Sequence, residues 1–146
     1  MKVGPDHQIG LACGGTNALI IDDRDGLPVS GGVLTGLGGA DEMWYNSGDN
    51  HYFFGISTPG DLGVADAGPP PSVDGKFPSA AGSHSVAADS RRNQVYVPVR
   101  GNLGTSPVST TTTICSTAKD VFGNAGSNNF GCIAIYTAPH ERRAGP

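Results

Sequence analysis

Two of the residues able to do chemistry in this sequence are related by spacing. Asp41 and His84 lie 43 residues apart, in matching places of two similar stretches, Gly39–Phe54 and Gly82–Val97. A carboxylate and an imidazole brought together can bind a divalent metal or serve as general acid and base. Glu42 adds a second carboxylate, but neighbouring strand residues face opposite ways, so it is the weaker ligand. Asn17, following the Gly14-Gly15 loop, is a further polar candidate. The alternative is that these side chains bond strand ends and loop N–H groups, as polar residues near turns commonly do. The residues alone leave both readings open.

Other groupings offer less. Ser83-His84-Ser85 holds a hydroxyl beside an imidazole, but strand alternation sends them to opposite faces, which is not triad geometry. Gly36-Leu37-Gly38-Gly39 lacks the strand–turn–helix setting of a phosphate loop. The acidic turn Asp22-Asp23-Arg24-Asp25 lacks the twelve-residue calcium loop with its closing Glu. Of the three cysteines, Cys115 and Cys132 are expected to pair, and Cys13 to remain free. Their bond would span 17 residues of polar chain, worth about 3 kcal/mol by loss of unfolded-chain entropy. Two reduced thiols are the alternative, and no CxxC pair suggests zinc.

These residues must be carried by short strands. The two stretches superpose without gaps: Gly39 on Gly82, Asp41 on His84, Asn46 on Asp89, Asn50 on Asn93, Phe53 on Tyr96. Each reads as strand, polar turn, strand. A third strand follows at Leu62–Asp66, and its counterpart at Ala18–Asp22 lies 44 residues earlier. A period of roughly 40–45 residues built from short strands marks a β-propeller blade. The sequence thus predicts an all-β chain forming an incomplete propeller of about three four-stranded antiparallel blades. They fall at roughly 1–35, 36–80 and 81–138 of one domain. The first lacks most of its opening strand and the last its outer one. A Thr/Ser/Gly/Asn-rich insertion occupies 98–131, and a polar tail 137–146. The expected third blade has strands at His84–Ala88, Gln94–Val99 and Cys132–Tyr136.

Closed propellers have four to eight blades. Three would leave open edges and bare apolar flanks, so the chain is expected to be part of a longer protein or to self-associate. A small β-sandwich is the competing architecture. Gly 23 and Pro 11 among 146 residues suit turn-rich β structure. A net charge of −4 without a basic stripe argues against nucleic acid. No apolar run is long enough to span a membrane. The opening MKVGPDHQIG has no apolar core of a secretory signal.

The strings NALIIDDRDG, DSRRNQVYVPV and GCIAIY resemble the YVTN-repeat, lactonase-like β-propellers of bacteria. Tyr96-Val97 and Tyr52-Phe53 stand in the Tyr-Val place, and Asp22 and Asp66 in the closing Asp place. Pro98-Val99 departs from the pattern, as does the long insertion. The resemblance implies export, to the periplasm or beyond the cell, when a signal peptide precedes the blades. It also implies activities ranging from ligand binding to sugar-lactone hydrolysis, with no catalytic residue transferable by position. Two functions follow as expectations. The first is a scaffold that binds a small molecule or protein on the face carrying Asp41, His84 and the insertion. The alternative is a metal-dependent hydrolase of the lactonase type using Asp41 and His84, with a divalent metal as cofactor.

Overall fold

The computed structural model describes residues 1–99, 115 and 131–137. The elements among them are eleven strands in three antiparallel sheets, so the chain is all-β as expected. The first sheet holds β1 (Lys2–Val3), β2 (Gln8–Leu11), β3 (Asn17–Asp22) and β4 (Pro28–Thr35), side by side in that order. The second holds β5 (Ala40–Asn46), β6 (His51–Ile56), β7 (Asp61–Asp66) and β8 (Ser72–Pro78), again in order. The third holds β9 (Ala87–Asp89), β10 (Gln94–Val99) and β11 (Cys132–Thr137), with β10 in the middle. Most of the insertion and of the tail lies outside the described residues.

Turn chemistry starts and stops these strands. Asn50 and Asn93 precede β6 and β10 with φ of 61° and 49°, a left-handed conformation that Asn tolerates better than most residues. Before them, the Asn46 side-chain oxygen accepts from the Gly48 N–H at 3.1 Å, and that of Asp89 from Arg91 at 2.9 Å. Asp22 and Asp66 close β3 and β7 by accepting the N–H two residues on, at 2.9 and 2.7 Å. Short side chains that bond their own backbone offer it an alternative to the ladder, which ends the strand.

Strand alternation then builds a stack with the second sheet in the middle. On β6, Tyr52 and Phe54 face the first sheet and join a buried cluster with Ile20, Leu34 and Met43. Phe53, between them, faces the third sheet and packs with Leu62, Val64, Val95 and Val97. Sheets buried on both faces read as continuous apolar runs, and all of β6 after His51 is buried. Gly10 makes room for the first contact, since a Cβ there would meet the Met43 methyl at 2.2 Å. One buried polar group crosses it: Gln8 donates from its amide to the Ala67 carbonyl at 3.0 Å and accepts from the Tyr52 hydroxyl at 3.2 Å. Trp44 packs against the cluster between the second and third sheets.

The third sheet departs from expectation at its first strand. His84–Ala88 does not form one, and only Ala87–Asp89 pairs with β10. The preceding chain spends its backbone groups elsewhere. Ser79 N–H bonds the Gly60 carbonyl and Gly82 N–H the Ser57 carbonyl, both at 2.8 Å, which holds residues 79–82 against the β6–β7 turn. The disulfide is present: Cys115 and Cys132 are bonded with their Cα atoms 5.6 Å apart, and Cys13 is free.

Candidate functional site

Asp41 and His84, singled out by their spacing, lie near each other in the structure. Asp41 Oδ2 lies 3.8 Å from His84 Nδ1, with the side chains 61% and 56% exposed. Two backbone features arrange this. A register shift between Ala40 and Glu42 makes Asp41 the extra residue of a bulge, a device that re-aims a side chain. Opposite Glu42 sits Gly55, whose missing side chain admits the His84 backbone: a Cβ there would lie 2.5 Å from the His84 carbonyl oxygen. His84 is therefore held beside Asp41 from a loop, not from the strand assigned to it by periodicity.

The remaining candidates add little to the pair. The bulge leaves Glu42 exposed as well, so simple alternation does not separate it from Asp41. Asn17 is the first residue of β3, half-buried and opposite Thr35 on the first sheet. Among the described residues, no three His, Cys, Asp or Glu side chains converge as a metal site. Asp41 and His84 thus meet as an exposed carboxylate–imidazole pair, a kind of contact worth little when screened by water.

A more enclosed site lies near the other end of the strands, where the second and third sheets meet. A cleft of about 230 Å³ opens there, lined chiefly by Phe53, Leu62, Val64, Phe77, Val95 and Tyr136. Its charged rim is Asp49, His51 and Asp74. The His51 ring lies between acceptors: Nδ1 is 2.5 Å from the Asp49 carbonyl oxygen, and Nε2 is 2.9 Å from Asp74 Oδ2. Only a ring protonated on both nitrogens donates to both.

The imidazole is accordingly pushed up to about 9, first by the Asp49 carboxylate, with the Asp49 carbonyl and the Asp74 charge adding and burial opposing. Asp74 holds the nearer carboxylate oxygen, 2.9 Å against 3.6 Å, but Asp49 is the more buried, 12% exposed against 40%, so water screens it less. At neutral pH the rim holds one imidazolium between two carboxylates and is net negative. The Tyr136 hydroxyl donates to the Pro78 carbonyl at 2.9 Å and ties the two sheets together.

Sequence reasoning passed over this cleft. His51 opens β6, and pairing across the sheet sets it opposite Asp66, itself opposite Ser72. Asp74, two residues further along β8, reaches the ring across β7, and the register of β8 on β7 shifts between Val64 and Ala65. The one signal available was an Asp, a His and a second Asp around a hairpin with an aromatic-rich strand.

No family model matches the chain, and no curated protein matches its sequence. No helix among the described residues is long and apolar enough to cross a membrane. A disulfide is compatible with an oxidising setting outside the cytosol.

Proposed function

We propose that this chain is one sector of a propeller of the YVTN-repeat kind and acts as a binding module, exported to the periplasm or beyond the cell. Its ligand is a small molecule with an apolar body and a positive charge, held in the cleft between the second and third sheets. The observation that carries this reading is the cleft itself, a wall of aromatic and aliphatic side chains ending in Asp49, His51 and Asp74. Binding sites commonly combine an apolar lining with a few convergent polar groups. A net negative rim favours a cation, and the rings of Phe53, Phe77 and Tyr136 suit one. The propeller reading draws support from the left-handed residues 43 apart, Asn50 and Asn93, and from Asp22 and Asp66 closing their strands alike.

Benzyltrimethylammonium is the probe of choice, because it keeps its charge at every pH. Titrated against the protein and followed by NMR, it should shift the signals of the cleft aromatics and bind more tightly above pH 9, where His51 loses its competing charge. Benzoate should bind far more weakly. Equal binding of both, or of neither, would remove the assignment.

A second reading, metal-dependent hydrolysis of the lactonase type at Asp41 and His84, is favoured by their approach to 3.8 Å. Metal analysis of the purified protein decides it: a stoichiometric divalent ion lost in the double alanine variant would support hydrolysis, and its absence would leave the binding reading alone.

A further inference from the structure

The joint that holds the cleft differs from the joint beside it in what its outer strand contributes. In the first sheet, Leu34 stands opposite Ala18 and is 1% exposed. In the second, Phe77 stands opposite Leu62 in the corresponding place and is 49% exposed. Two residues back along β8 comes Gly75, opposite Val64 and on the same face as Phe77. A Cβ there would meet nothing within 4 Å. A strip of bare backbone thus runs up to a half-exposed ring. At its other end stands Asp74. The ladder passes from Gly75 opposite Val64 to Val73 opposite Ala65, so Asp74 is the extra residue of a bulge, which aims it at the cleft. The two carboxylates of the rim are therefore not equivalent. Asp49 is 12% exposed and accepts the His51 backbone N–H at 3.3 Å, with the ring Nδ1 at 3.6 Å. Asp74 is 40% exposed, and its Oδ2 faces the ring Nε2 at 2.9 Å. Among the described residues, its Oδ1 has no hydrogen-bond partner.

We propose that Asp74 selects the guest: its Oδ1 accepts a hydrogen bond from an aralkylammonium ion, a protonated amine on a short arm from an aromatic ring, while that ring lies over Gly75 against Phe77. This rests on the reading of the cleft as a cation site and narrows it to cations that carry N–H donors. A quaternary ammonium meets the same negative rim and the same aromatic walls, but it cannot donate, so it forgoes a charge-assisted hydrogen bond. His51 stays in place, because Nδ1 lies on the Asp49 carbonyl and Nε2 on Oδ2 of Asp74. Asp74 then serves ring and guest through different oxygens. Asp49, more buried and already bonded to His51, acts on the guest through its charge alone.

Benzylammonium and benzyltrimethylammonium share a ring and a charge and differ in N–H donors. Titrated against the full chain at neutral pH, benzylammonium should bind about ten-fold more tightly, the worth of one charge-assisted hydrogen bond. Asp74→Asn should collapse that preference, whereas Asp49→Asn should weaken both probes and keep it. The ratio of the two affinities is read within one protein sample, so a general loss of stability does not imitate its collapse. Nuclear Overhauser contacts in the unmodified protein cover the case in which a variant fails to fold: the ring protons of benzylammonium should contact Phe77 and the Gly75 α-protons. Equal binding of the two probes, a preference that survives Asp74→Asn, or contacts confined to residues away from Gly75 and Phe77 would overturn the assignment of Asp74 and leave the cation reading standing. Failure of both probes to bind would remove the two together.

Discussion

His51 ties a rim charge to the stability of the whole chain. Its ring titrates near 9 when folded against 6.5 as an ordinary imidazole, so the folded state holds the proton more tightly. That contribution is complete below about pH 6.5 and is lost as pH rises through about 9. Thermal melts should show Tm falling across this window, with a flatter profile in His51→Gln. NMR titration of Asp74→Asn should place the ring's midpoint lower than in the parent protein. Gly55 makes the opposite kind of demand, one of space. Gly55→Ala would press a methyl on the His84 carbonyl oxygen, at a cost of about 1–3 kcal/mol read from chemical denaturation. It should also disturb the Asp41–His84 approach. The spacing pointed to Asp41 and His84, but their approach comes from a bulge at Asp41 and from the room Gly55 leaves for the His84 loop, neither of which a repeat announces. The His51–Asp74 contact was not, because it depends on the register of β8, which a bulge sets and no local pattern announces.

At the scale of strands and turns, much could be read from apolar runs cut by Asn, Asp and Gly. Gln94–Val99 was found with its bounds intact, and Cys132–Tyr136 fell one residue short. The error at His84–Ala88 has a physical cause. Short strands are decided by which neighbour offers a ladder, and residues 79–82 bond the β6–β7 turn instead. Turn residues carry sharp expectations. Asn93 sits at φ 49°, so Asn93→Gly should leave stability nearly unchanged, while Asn93→Val should cost about 1–2 kcal/mol. Denaturant melts of the pair separate conformational strain from loss of a side-chain contact. The disulfide belongs to this scale as well. Thiol counting on unreduced protein should find one reactive cysteine, Cys13, and reduction should lower stability by about 3 kcal/mol.

For the whole molecule, the succession of short apolar strands cut by polar turns was the most informative feature, because a sheet apolar on both faces must be covered on both. It says nothing of how stacked sheets are stopped from sliding. Apolar contact is non-directional, so one greasy face on another has little preferred position. The group formed by Gln8, Tyr52 and the Ala67 carbonyl supplies what the apolar surfaces lack. It acts as a dowel. A slip of the first sheet by one residue would strand a buried amide and a buried hydroxyl without partners, a penalty far steeper than the area lost. The joint between the second and third sheets is fastened instead at its rim, through Tyr136 and Pro78. The first joint is thus keyed at its heart by a buried polar group, and the second, whose buried cluster is apolar, is pinned at its edge.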